Sequence, residues 1–171
     1  MAEPDDRERL RELTKQKQQA KQAAEAERQR QEAEKVRKEA EERAADERKT
    51  QEILAYCTKT LVGHKLEQTN HELQVMRGPS ARNLGGSCGI QDNYGIPYVL
   101  VYVKHVGVDI MADIPLLATR CLAGRYEVTE TERGYSFDSL DKLRDKVLDL
   151  VAGMDQDYMK KVLDKIRSLR R

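Results

Sequence analysis

The apolar positions of this chain follow two patterns that meet near residue 50. From Asp5 to Val62 there is no Gly and no Pro, and the stretch consists mostly of Ala, Glu, Lys, Arg and Gln. These are strong helix formers, so one long helix is predicted. Apolar residues along it are sparse. Leu10, Leu13, Ala20 and Ala24 fit an a/d spacing, which then places Glu27, Gln31, Glu34 and Lys38 where apolar residues belong. Ala33, Val36, Ala40 and Ala44 begin a second, shifted stripe. Interrupted, alanine-rich seams make a self-sufficient dimer unfavourable. They predict a helix docked on protein partners or a weak homo- or hetero-oligomeric coiled coil, against the plainer reading of a free, charge-stabilised arm.

Beyond residue 50 the pattern becomes that of a folded core. In residues 50–62, Ile53, Leu54, Cys57, Leu61 and Val62 share one helical face, so the long helix is expected to run into the domain and stop at Gly63. Residues 71–77 alternate through Leu73 and Val75 as a half-buried strand does. PYVLVYVK, residues 97–104, is apolar on both faces and predicts a central strand. A short strand near residues 87–91 and another over 108–112 are expected. Asp113 then reads as the N-cap of a helix, IPLLATRCLA, stopped at Gly124. Residues 125–131 and 135–137 suggest a hairpin. Two helices follow, one over 139–152 with Leu140, Leu143, Val147, Leu150 and Val151 inward. The other is capped by Asp155 with Met159, Val162, Leu163, Ile166 and Leu169 inward.

The expected fold class is therefore α+β. A charged helix over 1–49 precedes a domain over 50–171 with a mainly antiparallel sheet of four to six strands and two C-terminal helices. The predicted order is α-β-β-β-β-α-β-β-α-α.

Composition sharpens the division. The chain has 171 residues, 36 % of them charged, which is above the roughly 25 % of ordinary domains, so part of it must be solvated. Residues 1–49 hold 14 basic and 14 acidic residues, and all eight aromatics lie beyond residue 55. The helix has i,i+4 pairs to stabilise it without a core: Arg30 with Glu34, Glu34 with Lys38, Lys35 with Glu39, and Glu39 with Arg43. No apolar run is long enough to span a membrane, and the first 30 residues lack the apolar stretch of a secretory signal.

The overall charge of +1 hides a +4 section over residues 7–21 and a −4 body over 51–158. It also hides a +5 tail carrying Lys160, Lys161, Lys165, Arg167, Arg170 and Arg171. Basic ends admit contact with an acidic protein, RNA or an anionic membrane, against the plainer reading of ordinary solvated helix ends. Aromatics are not interleaved with them, so base stacking there is not expected.

Catalytic patterns are scarce. Cys57, Cys88 and Cys121 are separated by 31 and 33 residues, with no CxxC or HExxH spacing, so neither metal nor cofactor is expected. An odd count of cysteines without a secretory signal predicts reduced thiols in a cytoplasmic or similar compartment. Cys57 and Cys121 read as small core residues. Cys88, within NLGGSCGIQ, is the one candidate nucleophile; with His105, oriented by Asp92 or Asp109, it would make a hydrolase or transferase. The glycine-rich stretch 78–95 lacks the Lys-Ser/Thr of a P-loop.

LQVMRGPS, PYVLVYVK and GRYEVTETERGYSFDSLDKL together resemble the strand–strand–helix order of an SH2 domain. That resemblance implies phosphotyrosine binding at Arg77. The expectation drawn from the whole sequence is a non-enzymatic assembly or adaptor subunit whose N-terminal helix docks on protein partners. A Cys88/His105 enzyme and a phosphopeptide- or RNA-binding module are the alternatives.

Overall fold

The helix-forming stretch becomes α1, Pro4–Leu61, and the chain divides into two compact units, Met1–Glu41 and Glu42–Arg171. The structure, a computed structural model, describes residues 4–69, 71–78, 97–104, 113–130 and 133–169. No described helix is long and apolar enough to cross a membrane.

In the first unit every described side chain from Asp6 onward is exposed. Ion pairs one turn apart run along it: Glu34–Lys38 at 3.0 Å, Arg37–Glu41 at 3.5 Å and Lys35–Glu39 at 4.0 Å. Each adds about 0.2–0.5 kcal/mol to a helix, and together they support a segment with no core of its own.

Among its described residues, the second unit holds the rest of α1 and five strands: β1 (Leu73–Gly78), β2 (Tyr98–Lys104), β3 (Asp113–Leu122), β4 (Arg125–Glu130) and β5 (Arg133–Phe137). They form one antiparallel sheet in the order β1-β2-β3-β4-β5, so each strand lies beside its neighbour in sequence. Helices α2 (Leu140–Ala152) and α3 (Gln156–Leu169) follow. The α+β class holds, with a long helix first and two helices last.

The core lies on one face of the sheet. Val99, Val101 and Val103 of β2 stand in register with Thr119, Leu117 and Ile114 of β3, and Val128 follows across β4. Against them pack Ile53, Cys57 and Leu61 from α1, Leu143 and Val147 from α2, and Met159 and Val162 from α3. The opposite face carries a smaller apolar cluster of Tyr98, Leu100 and Ala118 beside Met76. Apolar residues on both faces of PYVLVYVK therefore give an interior strand, as expected.

The segment IPLLATRCLA is not a helix. It is most of β3, Asp113 opens a strand instead of capping a helix, and Cys121 lies on a strand. The strand has β2 on one side and β4 on the other, and Ile114, Leu116, Leu117 and Ala118 are buried. A continuous apolar run fits an interior strand or a buried helix equally well, and the pairing edges of β2 and β4 decide between them. The register shifts between the pairs Val101↔Leu117 and Tyr102↔Pro115, leaving Leu116 as an extra residue. Such a bulge turns both Leu116 and Leu117 toward the core. Among the described residues the element order is α-β-β-β-β-β-α-α; the strands expected near 87–91 and over 108–112 lie outside them.

Gly124 is also not a helix stop. Ala123 (φ 49°) and Gly124 (φ 76°) form the two-residue turn between β3 and β4. Both central residues of this tight hairpin type need positive φ. Gly63, at φ 78°, does end α1 as expected. Ser139 caps α2, its hydroxyl accepting from the Lys142 N–H at 3.4 Å. The Asp155 carboxylate caps α3 through the Tyr158 N–H at 2.9 Å. At the end of β1, Gly78 lies against the Tyr98 ring, and a Cβ there would come within 2.3 Å of it.

Candidate functional site

The residues expected to meet partners are all on the surface. Leu10, Leu13 and Val36 are 66 %, 47 % and 60 % exposed, and Ala20, Ala24, Ala33 and Ala40 are exposed as well. A large apolar side chain left in water at such a position forgoes about 1.5–3 kcal/mol of burial. Thr14 beside Leu10 turns its hydroxyl onto the Leu10 carbonyl at 2.8 Å, so its donor is satisfied within the helix.

A second constellation, which the sequence reading missed, lies within the Glu42–Arg171 unit. The carboxylate of Asp46 accepts from both N–H groups of the β3–β4 turn, Ala123 at 2.7 Å and Gly124 at 2.9 Å. It also accepts from the Cys121 thiol at 3.3 Å. One helical turn on, the Thr50 hydroxyl donates to the Asp46 carbonyl at 2.9 Å and accepts from the Cys121 N–H at 3.0 Å. Cys121 lies beyond the last pairing of β3 with β2, Val99↔Thr119, so the hydroxyl takes the place of a strand carbonyl. Lys49 completes the group, donating to the Gly124 carbonyl at 3.3 Å with its ammonium 5.5 Å from the centre of the Tyr126 ring. The spacing of Asp46 and Thr50 is visible in the sequence as one helical turn, but nothing there links either to residues 121–124, more than 70 positions away. This is a lock between helix and hairpin; every group in it is engaged with protein.

The cysteines do not form a reactive centre among the described residues. Cys57 and Cys121 are free and buried. Burial pushes both thiols up to about 12, and at Cys121 the neighbouring Asp46 carboxylate adds to the effect. Both are therefore protonated at neutral pH, as small core residues. Cys88 and His105 lie outside the described residues, as do Asp92 and Asp109. No group of three His, Cys, Asp or Glu side chains suited to a metal ion occurs among the described residues.

Arg77 stands on β1 with its guanidinium against the Glu47 carboxylate of α1. A phosphate at Arg77 would have to displace that carboxylate. Arg120 and Glu127, opposite each other across β3 and β4, pair at 2.9 Å. In the basic tail, Lys160 and Lys161 are exposed on α3. Lys165 and Arg167 also belong to α3, whereas Arg170 and Arg171 lie outside the described residues.

Compared with family models, curated proteins and solved structures, the chain matches none.

Proposed function

We propose that this chain is a non-enzymatic assembly or adaptor subunit, with the N-terminal part of α1 as its partner-docking element and the α+β unit as a second contact surface. One observation carries the reading: from Asp6 to Ala44 every residue of α1 is exposed, including Leu10, Leu13 and Val36. Helices in proteins draw most of their stability from packing an apolar face, and among the described residues this part of α1 has no buried apolar face. The two cysteines seen are buried free thiols, which suits a reducing cytoplasmic-type compartment.

The test is affinity purification of the full chain beside a full-length variant carrying Leu10→Asp, Leu13→Asp and Val36→Asp. All three side chains are exposed, so the sheet domain keeps its stability. The reading expects specific co-purifying proteins that the variant loses. An unchanged set of partners would sink it.

A further inference from the structure

The first apolar stripe of α1 has a charge pattern that selects its occupant. Taking about 100° of rotation per residue, Arg9, Lys17 and Lys21 lie within roughly 65° of the centre of the Leu10, Leu13, Ala20, Ala24 stripe. Glu8 and Glu12 lie more than roughly 110° away, toward the far side of the helix. Along the strip, then, only the basic Arg9, Lys17 and Lys21 share its face, in a section of net +4 over residues 7–21, while Asp6, one turn before Leu10, puts an acid on that face at its start. The second stripe, Ala33, Val36 and Ala40, is rotated by about 160° from the first, so a straight helix following one leaves the other. Glu27 returns to the first stripe's face, where it closes the basic border.

We infer that the Leu10–Leu13–Ala20–Ala24 stripe seats an acid-flanked amphipathic helix of a different protein, and that this contact ends near Ala24. The inference rests on the assembly reading above and specifies its partner. A second copy of the chain does not complement this surface. Whether the two stripes lie parallel or antiparallel on each other, the pairing brings +4 against +4. An anionic bilayer is a poorer occupant, because interfacial helices sink bulky Trp, Phe and Leu, whereas this face has two leucines and no aromatic. Ala20 and Ala24 instead allow close approach of another helix backbone. Glutamates on the incoming helix would meet Arg9, Lys17 and Lys21 around a short apolar seam.

The experiment titrates the full chain with two synthetic amphipathic helical peptides sharing one leucine seam, one flanked by glutamates and one by lysines, read by fluorescence anisotropy. Flotation with phosphatidylcholine–phosphatidylserine vesicles runs in parallel. The glutamate peptide is expected to bind saturably and more weakly as salt rises, and the lysine peptide not to bind. Leu10→Asp with Leu13→Asp weakens binding about tenfold or more, and Val36→Asp leaves it unchanged. Arg9→Glu, Lys17→Glu and Lys21→Glu together reverse the preference toward the lysine peptide. Equal binding of the two peptides, no loss in the leucine variant, or flotation that the leucine variant abolishes would each overturn the proposal. If the peptide fails while partners captured by the full chain still depend on Leu10, Leu13 and Val36, this inference alone falls. If no partner depends on those residues, the assembly reading falls instead.

Discussion

Residues 6–41 and 42–61 belong to one helix, yet its two parts are stabilised by different physics. The first has exposed side chains throughout and draws on neighbours one turn away, such as Glu34 with Lys38. The second buries Ile53, Cys57 and Leu61 completely or nearly so, and its polar residues reach far along the chain, as Asp46 does to the turn at Ala123 and Gly124. Exposed i,i+4 pairs are screened and each contributes little, but they act independently. Core and lock contacts are larger and depend on one another. A helix can thus continue without a break while the source of its stability changes along it.

The largest effect expected to expose that difference is in the core. Leu117→Ala should cost about 2–5 kcal/mol, measured by urea unfolding of the full chain, because it leaves a cavity between sheet and helices. Leu10→Ala, exposed in the arm, should shift the same transition by less than about 0.5 kcal/mol. Comparable losses from the two would abolish the contrast.

Next comes the lock. Asp46→Ala removes the acceptor for two backbone N–H groups and one thiol and should cost about 1–3 kcal/mol in thermal or urea unfolding. Gly78→Ala should fall in a similar range of about 1–3 kcal/mol, since its Cβ is forced into the Tyr98 ring. A neutral Gly78→Ala would mean that the ring moves freely aside.

A pH dependence separates the parts in another way. The Cys57 thiol moves from 9.0 to about 12 on burial. Above pH 9 the unfolded chain loses this proton and the folded chain keeps it, so the unfolded state binds fewer protons and stability falls as pH rises toward 12. Cys57→Ala should show a shallower decline in urea midpoint across that window than the parent chain. A variant decline as steep as the parent's would remove Cys57 as a cause. The smallest effect belongs to the arm: Glu34→Ala should lower stability by no more than about 0.5 kcal/mol, and less at high salt.

Much of this architecture was legible from periodicity. The absence of Gly and Pro between Asp5 and Val62 marked α1, Gly63 marked its end, and Ser139 and Asp155 marked the starts of α2 and α3. These signals act within a few residues. β3 was misread because IPLLATRCLA has no polar face to orient it, and because Gly124 serves a positive-φ hairpin as readily as a helix end. The exposed stripe residues of the candidate docking surface were readable, since alanines and leucines among charges remain what they are when the helix stays solvated. The Asp46 lock was not, because its partners come together only when β3 and β4 fold back on α1.

By itself the sequence determined the solvated charged helix, its two offset apolar stripes, the interior character of PYVLVYVK and the paired closing helices. Each follows from spacing within one or two turns or strand repeats, over which side chains meet whatever the rest of the chain does. Tertiary structure alone decided that residues 113–122 form a strand, that Leu116 bulges, and that Asp46 and Thr50 grip a turn more than 70 residues away. Those outcomes depend on which backbone edge lies alongside and which buried donor needs an acceptor, quantities that exist only once distant segments are packed together.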